Sequence, residues 1–312
     1  MGRRMILCVC LNPALQRTLA FNGLSLKRVN RAVSARHSAG GKGVNVSRVL
    51  TALGAEARLL LPLGGSRGRE IRNLLGREGF SFKSVTVSGN SRICTTLIDA
   101  GSSSVTELVE ESVPFSSAEV RSVQKAFDRL LPRARLVVLS GTAPAGFPAD
   151  IYGRWVTMAR KRGIPTLLDA AEPWARPGLE AKPWFFRANW VEMEAVLGRP
   201  AARTEAYAAM EAIRNIGARN VLISLDGPCA VADVEGRFSR LSGPRLKTVN
   251  PIGSGDAMAA GMAGAFIKKK PVSEILRAGM ACGAANVLTP TAGTVRPADV
   301  RRLTPAVRIL PR

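Results

Sequence analysis

Asn250-Pro251-Ile252-Gly253-Ser254-Gly255-Asp256-Ala257-Met258-Ala259-Ala260-Gly261 is the stretch on which the reading of this 312-residue chain turns. Gly253, Ser254 and Gly255 let the backbone turn tightly and let another molecule approach it closely. An acid follows at once, then a run of helix formers from Ala257 to Lys269. The stretch therefore reads as a loop entering a helix. Its first N–H groups have no intrahelical partner, and the positive end of the helix dipole points the same way. That makes an anion site, with phosphate its usual occupant. Asp256 is then either a capping acid of the first turn or a general base beside a phosphate-binding loop. Lys268-Lys269-Lys270 places cations at the negative end of the helix, and Pro271 stops it.

Such a loop needs a large fold behind it, and the chain can supply one. Its length suffices for a sizeable core. Hydrophobic residues make up 46% and no segment is of low complexity, so the chain is globular in class. Met5 to Leu11 is too short an apolar run to span a membrane. Arg3-Arg4 before it resembles the start of a signal peptide, but Asn12-Pro13 breaks the run and no small-residue cleavage site follows. The run is expected to be a buried first strand. Five scattered cysteines, with Cys8 and Cys10 on one strand face, suggest core packing. A single histidine, His37, excludes a zinc pattern. The expectation is a reduced, cytoplasmic protein. The net charge of +22 raises nucleic acid or an anionic substrate. However, the cations are spread through every segment and aromatics are only 5%, so stacking platforms are scarce. Anionic small molecules fit the charge better than specific nucleic-acid binding.

Working towards the N-terminus, strands and helices alternate from Leu136 to Ser224, which argues for a parallel sheet covered by helices. Ligands bind such sheets at the carboxyl ends of strands. Asn12, Ser140, Asp169, Asn189 and Ser224 all fall at expected strand ends and should share one rim. Earlier still, Ser38-Ala39-Gly40-Gly41-Lys42-Gly43-Val44-Asn45 opens a helix whose Val46, Val49, Leu50 and Leu53 follow helical spacing, with Gly54 at its end. It lacks the frame of a Walker A loop. It is either a plain helix entry or, with Asn45, a set of donors for a hydroxylated ligand. Gly64-Gly65-Ser66-Arg67-Gly68 reads as a turn before a helix from Glu70 to Leu75. Arg92 sits in an apolar strand and needs an anion, either a ligand or Glu107 or Glu110. Asn189 and Glu192 share a face across a helix start, where they orient a metal-bound phosphate or simply cap the helix.

Taken together, Gly40-Gly41-Lys42-Gly43-Val44-Asn45 and Gly253-Ser254-Gly255-Asp256 resemble the two signatures of the PfkB (ribokinase-like) carbohydrate kinase family. Leu11-Asn12-Pro13-Ala14, Arg28-Val29-Asn30-Arg31, Arg92-Ile93-Cys94-Thr95, Thr106-Glu107-Leu108, Leu139-Ser140-Gly141-Thr142 and Asn189-Trp190-Val191-Glu192 are similar to its hexose-phosphate branch, the 1-phosphofructokinases and tagatose-6-phosphate kinases. The resemblance spans nearly the whole chain. It implies a single α/β kinase domain with three α/β/α layers, a mostly parallel sheet, and a small β-sheet lid from about 14–37 and 87–109. It implies ATP and Mg²⁺, with a phosphorylated ketohexose such as fructose 1-phosphate, fructose 6-phosphate or tagatose 6-phosphate as acceptor.

In that family's pattern Asp256 takes the proton from the attacking hydroxyl, and the N–H groups of Gly253, Ser254, Gly255 and Asp256 stabilise the phosphoryl group in flight. Asn12, Gly40, Gly41, Asn45, Glu107 and Ser140 fall on the sugar. Arg31, Arg92 and Lys42 fall on the sugar's own phosphate. Asn189, Ser224, Asp226, Gly227, Gly283 and Asn286 fall on the nucleotide side, with Glu192 towards the metal. An exposed lid sheet makes a homodimer plausible. Four positions depart from the pattern. Gln16 replaces an acid that contacts sugar hydroxyls. Arg187-Ala188-Asn189 replaces Lys-Pro-Asn, Ser224-Leu225-Asp226 replaces Ser-Leu-Gly, and Ala170-Ala171-Glu172 follows Asp169 where Ser-Gly is common. They leave room for a kinase of an unphosphorylated sugar or for a catalytically weak sugar-phosphate binding protein of the same fold.

Overall fold

The apolar run near the N-terminus becomes a fully buried strand inside the large sheet. The computed structural model describes residues 5–312, so Arg3-Arg4 lie outside the described residues. In chain order the strands are β1 (Met5–Val9), β2 (Ala14–Phe21), β3 (Ser34–Gly40), β4 (Ala57–Gly64), β5 (Phe82–Val87), β6 (Arg92–Asp99), β7 (Ser104–Val109), β8 (Ala134–Ser140), β9 (Thr166–Asp169), β10 (Phe185–Asn189), β11 (Asn220–Ser224), β12 (Cys229–Val234), β13 (Arg237–Ser242) and β14 (Arg308–Pro311). The helices are α1 (Lys42–Ala52), α2 (Gly65–Arg77), α3 (Ser117–Leu130), α4 (Ile151–Lys161), α5 (Ala175–Glu180), α6 (Trp190–Leu197), α7 (Ala206–Ile216), α8 (Ser254–Ile267), α9 (Val272–Asn286) and α10 (Pro297–Leu303).

β1 is apolar on both faces, and a strand of that kind must be covered twice. Ile6 and Cys8 enter one core layer; Met5, Leu7 and Val9 enter the other. The large sheet runs β14-β13-β12-β11-β10-β9-β8-β1-β4-β5. Its strands are parallel from β5 across to β11, and β12, β13 and β14 add an antiparallel edge. α1, α2, α8, α9 and α10 pack one face through residues such as Val49, Ile71, Ala260, Met280 and Val300. α3 to α7 pack the other through Phe127, Trp155, Leu179, Met193 and Met210. The result is three layers, α/β/α. A separate four-stranded sheet, β3-β2-β6-β7, forms the lid.

The lid differs slightly from expectation, because Val87 ends β5 in the main sheet. The Gly64 to Gly68 segment is also corrected. Only Gly65 turns, at φ 64°, while Gly64 is the extended end of β4, and α2 begins at Gly65. Gly68 has no side chain, so α2 lies directly against Leu63 of β4. All five cysteines are free, and Cys8, Cys10 and Cys282 are buried in the core. No described helix is long and apolar enough to cross a membrane.

Candidate active site

Five neighbouring strands deliver polar residues to one rim. Ser140 and Asp169 are register partners at the ends of β8 and β9. Asn189 and Ser224 are partners at the ends of β10 and β11. Asn12 follows β1 between them and the lid. The start of α8 faces the same rim. Gly253 caps it at φ 82°, with no side-chain hydrogen bond, so no side chain satisfies the first-turn N–H groups. Gly253 is forced to be glycine twice over, since a Cβ there would also strike the backbone of Gly293. Asn250 shapes the turn by accepting from the Ile252 N–H at 3.0 Å and donating to the Pro290 carbonyl at 3.0 Å.

Asp256 stands in this first turn, 5% exposed. Burial, with Asp169 beside it, pushes its carboxyl up to about 7, against the pull of Lys42 and of the Asn45 hydrogen bond. Asn45 Nδ2 donates to Asp256 Oδ2 at 2.8 Å. Asn45 Oδ1 in turn accepts from Arg48 at 3.1 Å, and Arg48 is held by Glu78 at 2.6 and 3.2 Å. Asn45, expected on the sugar, therefore spends its amide orienting the acid. The capping alternative for Asp256 is not what is seen: its carboxylate accepts from Asn45 and caps no N–H.

A buried cation and a half-buried one complete the centre. Arg187, 5% exposed, donates to Ser224 Oγ at 2.9 Å and lies 3.6 Å from Asp169. Its guanidinium fills the space that a Cβ on Gly255 would need, and its Nε has no partner. Lys42 Nζ reaches Asp169 at 3.1 Å and Glu192 at 2.7 Å. Burial disfavours its ammonium, but the two carboxylates outweigh burial and hold it charged. Lys42 is thus tied to the large domain and is not free for a substrate phosphate. Glu192 and Asn189 form a reciprocal cap on α6, at 2.9 and 2.8 Å, so the capping reading of this pair holds. The remaining Glu192 oxygen belongs to Lys42. Among the described residues no cluster of three or more His, Cys, Asp or Glu side chains could hold a metal.

Two clefts meet at this point. One, of about 360 Å³, lies under the lid and is lined by Gln16, Gly41, Lys42, Asn45, Arg92 and Glu107 together with the Gly253–Asp256 turn. It continues into a neighbouring space lined by Asn12, Ser140, Thr142 and Trp174. Arg92 makes no ion pair with Glu107 or Glu110. It donates to the carbonyls of Glu110 and Asn12 at 3.3 and 3.1 Å, and its Nε is buried without a partner. Gln16 Nε2 donates to Thr96 at 2.7 Å. Asn12 gives its amide to Thr142 and takes a hydrogen bond from Ser112. Gly40 does not line the cleft; a Cβ there would crowd Gln16.

Arg31 is the residue furthest from expectation. It sits exposed in the loop between β2 and β3. The ladder pairs Gly40 with Ala14 near the cleft and Ser34 with Ala20 at the other end, so Arg31 is about 20 Å from the cleft along the strands. The lid therefore brings Arg92 but not Arg31 to the site.

The second cleft, of about 730 Å³, is lined by Arg187, Ser224, Asp226, Gly227, Gly255 and Gly283, with Met258, Met280 and Val287 as an apolar wall. Gly227 turns at φ 64°. Asp226 is 92% exposed at the side chain and paired with Arg203 at 2.9 Å, so its charge is neutralised at the rim. Asn286, expected on the nucleotide side, is wholly buried instead. It donates to the Ile252 carbonyl at 2.9 Å and to Ser254 Oγ at 3.2 Å, and so pins the turn.

A family model described as pfkB family carbohydrate kinase matches residues 10–299. Among solved structures, the fold is similar to that of a possible 1-phosphofructokinase from Thermotoga maritima. The TM-score is 0.91 at 22% identity, covering 99% of both chains. It is also similar to phosphofructokinase-2 from Escherichia coli in complex with fructose-6-phosphate, with a TM-score of 0.85, 22% identity, and 98% of this chain and 99% of that one covered. The tetrameric inhibited form of the same enzyme aligns with a TM-score of 0.85 at 22% identity, over 97% and 98% of the two chains.

Proposed function

The chain belongs to the pfkB family of carbohydrate kinases and is a sugar kinase; from that premise we propose that it transfers the γ-phosphoryl group of ATP to a hydroxyl of a phosphorylated ketohexose. Kinases of this family use ATP, and the relatives include a protein solved with fructose-6-phosphate. The observation that carries the proposal is Asp256. It is a buried carboxyl pushed up to about 7, aimed by Asn45, at a helix start that no side chain caps and where two clefts meet.

The acceptor lies under the lid and the nucleotide lies in the cleft between β11 and α9. Asp256 takes the proton of the attacking hydroxyl as that oxygen forms its bond to the γ-phosphorus, and the bond to the bridging oxygen breaks to release ADP. The N–H groups of Gly253 to Asp256 and the guanidinium of Arg187, which lies against Gly255 where the two clefts meet, stabilise the charge on the phosphoryl group in flight. Positioning and charge stabilisation carry such a transfer, since there is little covalent work for the protein. Mg²⁺ supplies neutralisation of the phosphate charge. No cluster of acids forms a cage among the described residues, and both Glu192 oxygens are already held, by Asn189 and by Lys42, so the donor set fits an ion that would arrive with the nucleotide and keep its waters, with Glu192 reaching it through one of them. Arg92, whose Nε lacks a partner, meets the acceptor's own phosphate.

The test is ADP release with MgATP across ketohexose phosphates and free sugars, wild type beside Asp256→Asn. Turnover with a ketohexose phosphate that is lost in the variant is the expected result. No turnover with any acceptor, in a protein that still binds ATP, would sink the proposal. One observation favours a second reading, a kinase of an unphosphorylated sugar: Arg31 stands away from the cleft, which leaves Arg92 as the uncommitted cation there. Under the first reading Arg92→Ala raises KM for the phosphorylated acceptor by about one to two orders of magnitude, as befits loss of a charge-assisted contact. Under the second, the variant leaves KM nearly unchanged.

A further inference from the structure

α8 carries Asp256 at its N-terminus, and a separate cleft of about 590 Å³ opens against its C-terminal half. The floor is apolar and built of small residues, Gly261, Gly264 and Ala265 of α8 with Ala278 and Cys282 of α9. Gly261 is explained by packing, because a Cβ there would strike the Ala278 carbonyl. Gly264 is not. A Cβ on it would meet only Leu50, at an ordinary 3.5 Å, so its bareness leaves open space that the helix pair does not need.

The rim is basic, with Lys268, Lys270, Arg277 and Arg301 around the opening. Glu274 is the one acid lining it, and Lys270 takes it at 2.9 Å. Arg277 donates to the Val307 carbonyl. Lys268 and Arg301 have no counter-ion among the described residues. A cleft of this size with an apolar floor and a few convergent polar groups is the usual form of a small-molecule site. An apolar ligand without charge would leave the two cations unpaired. A small hydrated anion would gain nothing from the floor. The guanidinium fork of Arg301 suits a carboxylate.

We propose that this cleft is a second ligand site, for a small amphipathic carboxylate with a medium-length apolar tail. The site is separate from the catalytic clefts. α9 stands between them, with Met280 and Gly283 lining the nucleotide cleft and Ala278 and Cys282 lining this one. A helix is about 10 Å across, so both ligands fit at once.

The experiment is calorimetric titration of the full chain with decanoate, alone and with saturating MgADP, beside titrations with inorganic phosphate and with decanol. Saturable one-to-one binding of decanoate, unchanged by MgADP and at least about tenfold tighter than either control, is expected. Gly264→Leu fills the floor and replaces a helix-interior glycine with a better helix former. It should weaken decanoate at least about tenfold and leave kcat unchanged. Lys268→Glu combined with Arg301→Glu removes the charge from exposed positions with no packing role, and should weaken it as much. The two variants perturb unrelated properties, so misfolding of the first would leave the second decisive. Absence of saturable binding, displacement by MgADP, or binding that survives the charge reversal would each overturn the proposal.

Discussion

Asp256 is costly to the fold and useful to the chemistry. In the folded chain its carboxyl titrates near 7, against 3.8 for an ordinary aspartate, because burial and Asp169 disfavour its charge. The folded protein therefore holds a proton that the unfolded chain has already lost, and stability falls as pH rises from about 4 to about 7. Asp256→Asn removes that penalty. Its melting temperature at pH 8 should exceed that of wild type, by an amount on the order of 2–4 kcal/mol in stability, and the difference should shrink towards pH 4. In the same variant kcat should drop by about 10² to 10⁴. For wild type, a base must be ionised to work, so kcat/KM should rise with pH through about 7. Asp169→Asn takes a negative neighbour away and should move that limb to lower pH, read directly from the rate profile; a limb that stays put would remove Asp169 as a cause. Asp256 was legible in the sequence because its glycines and its helix adjoin it. Its supports were not. Asn45 lies 211 positions away, and only the fold shows that its amide serves the acid. Arg48, three residues on, carries no local pattern that would tie it to the acid.

At the level of elements, the approach of α8 to the rim depends on what Gly255 lacks. The guanidinium of Arg187 occupies the place of its missing Cβ, so the start of α8 and the end of β10 share one charged contact. Gly255→Ala should displace Arg187 and disturb its bonds to Ser224 and Asp169. The expected result is a loss of kcat of about tenfold or more together with a loss of stability of about 1–3 kcal/mol, the usual cost of overpacking a close contact. A variant with wild-type kcat would show that Arg187 does no work on the phosphoryl group. In the sequence Arg187 shows only as a departure from the family's Lys-Pro-Asn; its role is not readable there, because a cation inside a buried parallel strand looks out of place until an anion is placed beside it. The helices with strong amphipathic spacing, α1 and α7, and the alternation from β8 to β11 could be read directly. The start of α2 could not, because Gly64, Gly65 and Gly68 spell a turn. One of those glycines turns the chain, whereas Gly68 lets helix and strand touch. The antiparallel edge was only partly legible. β14 returns from the C-terminus to pair with β13, and a pairing across that separation leaves no local pattern.

Over the whole molecule two features remain to be accounted for, the exposed lid and the charge. Among the described residues, five of the nine large apolar side chains left exposed, Leu26, Val29, Val33, Leu108 and Val109, belong to the lid strands or the loop between them. Patches of that kind mark interfaces, and edge strands invite pairing. A homodimer through the lid is the expected state, with twice the 33.2 kDa chain mass by light scattering. Val29→Asp, at a position 82% exposed, should return it to single-chain mass with its fold intact; a wild-type monomer would end the idea. The charge has a different reach. With 45 lysines and arginines against 23 acids, a positive potential surrounds clefts whose expected ligands are both anions. Such a field raises encounter rates, and salt screens it. The Debye length falls from about 30 Å at 0.01 M to about 8 Å at 0.15 M. Over that range kcat/KM for nucleotide and acceptor should fall several-fold. kcat, set by groups already in contact, should hardly move. A fall in kcat of equal size would mean that salt acts on the site itself, and the charge would then need another explanation, with polyanion binding the first to test.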